Sequence, residues 1–209
     1  MLEAVDLECV RGSRTLFSAL SFSVRSGELL RIAGPNGSGK TSLLRILCGL
    51  LLPATGAVKW QGTDIRHLRE DYCRELLYVG HASAVKDDLT PVENLLMAGS
   101  LAGIQIGRSQ AVDALGRLGL EGYELSPVKV LSQGQRRRVV LARLILGGAA
   151  RLWIVDEPFT ALDVHAVEEV RTLIAGHLRH GGAVVLTTHQ EVEIEAGVKQ
   201  QVVLGSRAH

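Results

Sequence analysis

The chain has 209 residues, 46% of them hydrophobic and 22% charged, a size and composition typical of one folded domain rather than a disordered chain. Lysine and arginine (23 residues) almost balance aspartate and glutamate (22 residues), and only 4% of residues are aromatic. Because a nucleic-acid-binding chain needs a basic surface or stacking side chains, we expect no nucleic acid partner.

The cysteines and the apolar segments bear on location. Cys9, Cys48 and Cys73 are widely spaced and form no C-x-x-C pair, which predicts neither a disulfide framework nor a zinc site. The sequence opens without a basic and apolar leader, and its apolar stretches at 43–52 and 139–146 contain arginine and are too short to span a bilayer. We therefore expect a chain of the reducing cytoplasm that reaches a membrane only through a partner.

Short β-branched and apolar runs alternate with longer helical patterns along the chain. The runs at 152–155 and 183–187 are continuously apolar and lie between helical segments, as central parallel strands covered on both faces do. The pattern predicts an α/β fold. The predicted strands are 20–24, 29–33, 57–60, 76–79, 152–155, 183–187 and 202–204.

The segment 91–120 contains no strand-like run. Pro91 is suited to the first turn of one helix, and 109–118 has the amphipathic pattern of a second. No linker or internal repeat divides the sequence. We predict a single domain over 1–209, in which a helical subdomain at 82–130 is inserted in a core made of 1–81 and 131–209.

A glycine-rich loop stands between the strand 29–33 and a helical run at 41–47. Backbone N–H groups of such a loop bind phosphate oxygens, while Lys40 reaches the outer phosphates and the Thr41 hydroxyl can ligate Mg²⁺. The alternative is a glycine-rich turn without a ligand. The loop fits the pattern G-x-x-x-x-G-K-[ST] with Gly34, Pro35, Asn36, Gly37, Ser38, Gly39, Lys40 and Thr41.

The strand 152–155 runs into two carboxylates, Asp156 and Glu157. Unpaired charges at the end of a buried strand need a cation or a hydrogen-bonding task. Asp156 is suited to holding Mg²⁺ indirectly, through one of the ion's own ligands. Glu157 would orient or deprotonate an attacking water in a nucleotide-hydrolysing site. The alternative is a pair of solvated carboxylates.

Polar residues mark two further helix starts. Ser132 and Gln135 form a predicted capping box ahead of a helix at 136–146, and the exposed backbone donors there can also hold a phosphate. Asp163 is placed to cap a helix at 164–179. The arginines at 136–138 fan around their helix and are interpreted as solvated or contacting acidic neighbours.

The histidines differ in their position relative to the predicted sheet. His189 follows the buried strand 183–187, so it would project toward the ligand crevice at the carboxyl edge, although a structural role is the alternative. His177 and His180 share a helix face without a third metal ligand. We predict that both are exposed to solvent.

Five motifs occur in the order and spacing of an ATP-binding cassette (ABC) nucleotide-binding domain, and the chain resembles that family over nearly its whole length. Within the family, the amino-acid sequence at 14–17, 131–138 and 153–163 is similar to that of the branch that serves bacterial cytochrome c maturation. The motifs are GPNGSGKT at 34–41, LSQGQ at 131–135, RLWIVDEP at 151–158, ALD at 161–163 and TH at 188–189.

The resemblance implies a P-loop NTPase fold with a mainly parallel core sheet, an antiparallel β subdomain and a helical subdomain. It also implies a homodimer packed head to tail, with each ATP between residues 34–42 of one chain, Ser42 included, and the LSQGQ segment of the other. Mg²⁺ would be held by Thr41 and Asp156, with Glu157 as the catalytic carboxylate and His189 on the terminal phosphate. The signature residues that face the partner's ATP would be Ser132, Gln133, Gly134 and Gln135, with Asp163 signalling across the interface.

The resemblance further implies an ATPase that energises haem handling or export during c-type cytochrome biogenesis. The chain would be peripheral, on the cytoplasmic face of the bacterial inner membrane, and its segment 78–101 would dock onto integral membrane permease subunits. Haem would be handled by those partners rather than by this chain. The alternative is a nucleotide-dependent switch or assembly scaffold in which hydrolysis is slow.

Three positions depart from the usual family pattern. The family has a glutamine that ligates Mg²⁺ where this chain reads Gly-His-Ala-Ser at 80–83, and His81 could substitute for it. Gln133 replaces a glycine of the signature segment. Residues 9–11 offer no aromatic side chain to stack on adenine, so Arg11 is the candidate contact through its guanidinium plane.

Overall fold

The computed structural model describes residues 1–81, 84–147, 150–190 and 192–205. Its strands are β1 (Leu2–Arg11), β2 (Arg14–Val24), β3 (Glu28–Ala33), β4 (Thr55–Trp60), β5 (Thr63–Asp64), β6 (Leu76–Val79), β7 (Leu152–Asp156), β8 (Ala183–Thr187) and β9 (Val198–Val203). Its helices are α1 (Lys40–Leu47), α2 (Ile65–Leu68), α3 (Glu70–Glu75), α4 (Pro91–Leu101), α5 (Arg108–Arg117), α6 (Gln133–Leu141), α7 (Arg143–Leu146) and α8 (Val164–Arg179), with a 3-10 turn at Val128–Val130.

Two sheets organise these elements. Five parallel strands lie in the order β6-β7-β8-β3-β9, and four antiparallel strands lie in the order β2-β1-β4-β5. In the parallel sheet, Thr187 of β8 is level with Ile32 of β3 on one side and with Asp156 of β7 on the other. This register brings the carboxyl ends of three strands to one edge, where ligands of open α/β sheets bind. The predicted α/β fold is confirmed.

Alternating side chains of the parallel strands divide the interior into two cores. One face contributes Leu30, Ile32, Leu152, Ile154 and Val185, which pack with the apolar residues of α1 and of the antiparallel sheet. The opposite face contributes Leu29, Trp153, Val155, Val184 and Leu186, which pack with apolar residues of α4, α5, α6, α7 and α8. Both faces of β7 and β8 are therefore covered, which is why these strands are continuously apolar.

Most predicted strands lie within observed ones, but β1 was not predicted from the sequence. Its buried residues alternate at Leu2 and Ala4 and again at Leu7 and Cys9. Between the two pairs the register with β2 shifts, and Asp6 has a φ of 46°. The extra residue of this bulge breaks the period of two, so the pattern is hidden in the sequence. The predicted strand 20–24 is the end of the eleven-residue β2.

Helices begin where the sequence predicted their first or capping residues. Pro91 is the first residue of α4, and Thr90 and Glu93 form a capping box there. Asp163 caps α8 through a hydrogen bond to the Ala166 N–H. The predicted helix at 136–146 is divided into α6 and α7 at Ala142, whose backbone nevertheless remains helical. Of the described residues between 84 and 130, none is assigned to a strand; the division into core and subdomain stays a prediction.

His177 is not exposed, contrary to the prediction. Its ring stacks on Trp153 at 3.9 Å between ring centroids, with the two planes 6° apart. At this turn of α8, the helix face that carries His177 therefore packs against the sheet. Burial lowers the pKa of His177 from its ordinary 6.5 to about 4. His180, which caps the end of α8, is exposed as predicted.

The depressed pKa of His177 predicts a loss of stability in mild acid. The unfolded chain takes up a proton as the pH falls below about 6.5 while the folded chain resists it until about 4, so stability is complete above this window and declines within it. We expect His177→Phe, which keeps a stacking ring and cannot titrate, to show a smaller loss of urea midpoint between pH 7 and pH 5. Leu178→Ala, which truncates a buried residue of the same helix, is the control and should lower the urea midpoint while following the wild-type pH dependence. Equal pH dependence in His177→Phe and the wild type would contradict the assignment.

Candidate nucleotide-binding site

The glycine-rich loop leaves β3 and leads into α1 at the carboxyl edge of the parallel sheet. Gly34 follows Ala33 with a φ of 143°, and a Cβ there would lie 2.6 Å from the Leu204 carbonyl oxygen. Only glycine fits this position, because a side chain would collide with the backbone of the segment that follows β9. The loop then turns back and delivers the N-terminus of α1 to the sheet edge.

Lys40 is held over the loop that precedes it. Its Nζ donates hydrogen bonds to the carbonyl oxygens of Gly34 and Pro35, at 2.7 and 3.2 Å. Ser38 is buried, and its Oγ finds no hydrogen-bond partner among the described residues. The loop therefore gathers an ammonium group, a hydroxyl and the first N–H groups of an eight-residue helix in one place.

Asp156 connects the loop to the neighbouring strands. It is 2% exposed, and its Oδ2 accepts a hydrogen bond from Thr41 Oγ1 at 2.9 Å. Its Oδ1 accepts a hydrogen bond from Thr187 Oγ1 at 2.6 Å. A buried carboxylate is stable only with such donors, and both of its oxygens have one. The loop and the acidic pair thus meet in one place.

Glu157 turns away from the strand with a φ of 49°, in the left-handed region. Its N–H donates to Thr187 Oγ1 at 2.9 Å, and its side chain is directed toward His189. Glu157 Oε2 accepts a long hydrogen bond of 3.3 Å from the His189 N–H. Oε1 is buried and lies 3.4 Å from His189 Nε2, with no hydrogen-bond partner in the described part of the chain, so both carboxylate oxygens are directed at His189.

These residues surround a cleft of about 550 Å³. Leu16 and Thr160 also line it and were not singled out by the sequence. Leu16 comes from β2 of the antiparallel sheet, whose approach to the loop depends on tertiary packing, so no local signal marks it. His81 lines the cleft, whereas Ala82 and Ser83 lie outside the described residues. The other lining residues are Asn36, Gly37, Gly39, Lys40, Thr41, Ser42, Asp156, Glu157 and His189.

The signature residues are not among those lining this cleft. Ser132 Oγ accepts a hydrogen bond from the Gln135 N–H, and Gln135 Oε1 accepts one from the Ser132 N–H, so the predicted capping box is present. Gly134 lies against the carbonyl oxygen of Ala161, which would be 2.6 Å from a Cβ at that position. Gln133 is exposed at the first turn of α6.

Asp163 and Arg11 also lie away from the residues lining the cleft. Asp163 Oδ2 accepts a hydrogen bond from Arg138 Nη2 at 2.6 Å. Its capping bond from the Ala166 N–H, followed by the charge of Arg138, lowers the pKa of Asp163 below its usual range. Arg11 is exposed at the end of β1, and its contact with adenine stays a prediction.

The arginines at 136–138 differ from their predicted environments at one position. Arg136 pairs with Asp87 at 3.0 Å, and Arg138 pairs with Asp163, as expected of helical arginines beside acidic neighbours. Arg137 is neither solvated nor paired with a carboxylate; it is 5% exposed and donates to backbone carbonyl groups. Arg137 therefore contacts acidic residues, as predicted, but it is buried and reaches them through their backbone oxygens on another element.

A family profile described as ABC transporter matches residues 17–160, which is more than half of the chain. The chain belongs to the ABC transporter family. The family binds nucleotide. None of the helices in the described ranges is both long and apolar enough to cross a membrane.

Curated relatives cover almost the whole of this family member. A protein named "Cytochrome c biogenesis ATP-binding export protein CcmA" in Nitrosospira multiformis is 55% identical over 203 residues, 97% of this chain and 98% of the relative. The protein of the same name in Escherichia coli K12 is 47% identical over 93% of this chain and 91% of its own length.

Solved structures share the fold of this ABC family member. An ABC transporter ATP-binding protein from Pyrococcus furiosus superposes with a TM-score of 0.80 at 25% identity, covering 96% of both chains. A dimeric ATP-binding cassette in a post-hydrolysis state, bound to ADP and Pi, superposes with a TM-score of 0.78 at 25% identity, covering 91% of this chain and 88% of the other.

The two hydrogen bonds of the Thr187 hydroxyl predict that this group contributes measurably to the stability of the folded chain. Thr187→Val keeps the shape of the side chain but leaves Asp156 Oδ1 without a donor and the buried Glu157 N–H without an acceptor. We expect a loss of about 1–3 kcal/mol in the free energy of unfolding, measured by urea denaturation. The control is Thr55→Val, which removes an exposed hydroxyl with two long contacts of 3.4 Å. A loss no larger than that of the control would refute the bridging role.

Proposed function

We propose that this ABC family member is the ATP-hydrolysing subunit of a membrane complex that energises haem handling or export during c-type cytochrome biogenesis. The observation that carries the ATPase part is the hydrogen bond from Thr41 to Asp156, because it joins the phosphate-binding loop to the acidic pair. The cytochrome part rests on the curated relatives, whose name includes both ATP binding and cytochrome c biogenesis.

The phosphate groups of ATP would lie on the loop at 34–42. Backbone N–H groups at the start of α1 and along the glycines point a positive potential at that place. Lys40 would exchange its two carbonyl acceptors for phosphate oxygens, which are the stronger partners of an ammonium group. Ser38, which lacks a partner for its buried hydroxyl, offers one more donor in the loop.

Thr41 and Asp156 fit a bound Mg²⁺. Their hydroxyl and carboxylate oxygens are hard ligands and are already 2.9 Å apart. Within the described residues no group of three or more His, Cys, Asp or Glu side chains could hold a metal ion. Mg²⁺ usually takes one or two protein ligands and completes its shell with phosphates and water. When bound, the ion neutralises phosphate charge during transfer.

Glu157 and His189 would act on the terminal phosphate. Glu157 Oε1 has no hydrogen-bond partner among the described residues and is buried beside the His189 ring, so a shift of that ring toward the terminal phosphate would let the oxygen accept a hydrogen bond from a water molecule and orient it for attack. His189 is half-exposed and has its Nε2 near the same oxygen, so it can donate to a phosphate oxygen while remaining beside the carboxylate. Together they provide a base and a donor on one side of the cleft.

The signature residues would act on a second copy of the chain. Ser132, Gln133, Gly134 and Gln135 form an exposed or half-buried helix start away from the residues lining the cleft of their own chain, and a helix start of this kind binds anions. A homodimer packed head to tail would bring them onto the partner's ATP, with Asp163 near the contact. The dimeric ATP-binding cassette that superposes on this chain supports the arrangement.

The permease would bind beside His81. A groove of about 680 Å³ lies next to the cleft, shares Thr41 and His81 with it, and includes Arg45, Tyr78 and Arg143. A partner segment there would touch both the cleft and the start of the predicted docking segment 78–101. On this proposal the chain would be peripheral at the cytoplasmic face of the inner membrane, with haem handled by the permease subunits.

The role of Glu157 predicts a separation of binding from turnover. Glu157→Gln keeps the size and polarity of the side chain but removes the base, so it should bind ATP with wild-type affinity and hydrolyse it about tenfold more slowly, or slower still. Lys40→Ala is the contrasting variant and should lose affinity for ATP. Titration of ATP binding and steady-state phosphate release measure the two effects. Unchanged hydrolysis by Glu157→Gln would remove Glu157 from the base role.

The alternative of a slow nucleotide switch is tested with the same assay in the membrane complex. Gln133 in the signature segment and His81 at the usual glutamine position are the features that favour it. A transport ATPase should hydrolyse ATP faster in the purified complex than as the isolated subunit. Equal and slow rates in both would favour the switch.

The cytochrome assignment predicts specific partners. After detergent extraction of membranes, the tagged full chain should co-purify with integral membrane proteins, identified by mass, and haem should be found with those proteins by its absorbance. The isolated subunit, purified without membranes, is the control and should carry no haem. Recovery of a permease complex that lacks haem in cells that make c-type cytochromes would contradict the haem part while leaving the ATPase part intact.

A further inference from the structure

Arg137 is a buried cation beside the end of β7, held by three backbone oxygens from two separate segments. Its Nη1 donates to the Gly80 carbonyl at 2.7 Å. Its Nη2 donates to the carbonyls of Asp156 and Glu157 at 2.5 and 3.0 Å. Among the described residues no carboxylate lies within ion-pair distance of it, and its Nε has no partner.

Such an environment is costly for a charged side chain. Burial lowers the pKa of the Arg137 guanidinium, while the nearby charges of Asp156 and Glu157 act in the opposite direction. The free-energy cost of removing a cation from water is offset only when its hydrogen bonds are well formed and its charge interacts favourably with its surroundings. A leucine or methionine would fill the same space without the desolvation penalty, so packing alone does not account for an arginine here.

The three carbonyl groups define what the guanidinium holds. Two of them are the peptide oxygens on either side of the turn at which Glu157 adopts its left-handed φ of 49°. A non-glycine residue in this region costs of order 1–3 kcal/mol and persists only where its surroundings fix it. The third belongs to Gly80, which follows β6 and precedes His81 in the cleft.

Arg137 also belongs to the helix that starts with the signature residues. It is the fifth residue of α6, whose first residue is Gln133, so the guanidinium and the capped start of α6 are parts of one rigid element. The side chain therefore joins α6 to the end of β7 and to the end of β6. Neither Arg136 nor Arg138 makes such a link, because their ion pairs are with Asp87 and Asp163.

We propose that Arg137 is a positioning residue for hydrolysis: it fixes the backbone turn that aims the Glu157 carboxylate, and it transmits movements of α6 to that turn and to the Gly80–His81 segment. The inference rests on the proposed ATPase function and goes beyond it, since it adds a residue that touches neither nucleotide nor metal. A ligand that moves the start of α6 would change the direction of the catalytic carboxylate through this single side chain.

The test separates turnover from binding in the full-length chain. Arg137→Met keeps the length of the side chain and loses all three hydrogen bonds, so the kcat for ATP hydrolysis should fall about tenfold or more while the Kd for ATP changes by less than about threefold. Arg137→Lys retains a cation that can reach part of the carbonyl set and should restore part of the kcat. Phosphate release and ATP titration measure the two quantities.

Two matched variants control for stability and charge. Arg136→Met removes a neighbouring arginine from the same helix and should leave kcat near the wild-type value. Val139→Ala truncates a buried residue of α6 and should lower the urea midpoint without a comparable loss of kcat. Should Arg137→Met not fold, the comparison is made with Arg137→Lys, whose kcat should be lower than that of Val139→Ala at equal or greater stability.

The outcomes distinguish the two proposals. A wild-type kcat in Arg137→Met, or a loss of ATP affinity that parallels the loss of kcat, would overturn the positioning role. A kcat that tracks the urea midpoint across all variants, Val139→Ala included, would overturn it too. An inactive wild-type chain in the purified membrane complex would instead refute the proposed ATPase function.

Discussion

The structure depends on one chain of hydrogen bonds, in which the buried Asp156 carboxylate accepts from Thr41 on one side and from Thr187 on the other. Thr41 belongs to α1, and Thr187 ends β8, which lies between β7 and β3. A carboxylate this deeply buried is tolerated only with donors on both oxygens, so the three elements must keep their relative positions. The glycine-rich loop, which leads into α1, is thereby set beside the acidic pair.

The apolar interior explains why the polar residues appear only at the strand ends. Within β7 and β8 every residue is buried, and side chains alternate between the core shared with α1 and the core shared with the other helices. A charge inside either core would lack partners, whereas the carboxyl edge offers hydroxyl groups, loop N–H groups and solvent. The candidate site therefore lies at the edge of the sheet where the two apolar cores end, which is the general position of sites in open α/β sheets.

The parts predicted from the sequence are those whose signal is local. The glycine loop, the acidic pair, the caps at Ser132 and Asp163 and most strands of the parallel sheet each occupy a few consecutive residues. The differences concern residues whose environment is set by distant segments. Arg137 contacts Gly80 across 57 positions, and His177 stacks on Trp153 of another element, so neither could be read from its own helix. Strand β1 was missed because a bulge at Asp6 interrupts its alternation.

The coverage of β7 and β8 on both faces has an evolutionary consequence. A residue such as Ile154 packs in one core and its neighbour Trp153 packs in the other, so a change of volume on either face displaces the same short backbone. Strand β7 has only five residues, so a backbone displacement that arises in it would reach Asp156 at its end. Lineages of this chain can therefore diverge freely at the surfaces of their outer helices, but drift in the two interiors has to be compensated pairwise if hydrolysis is to be retained.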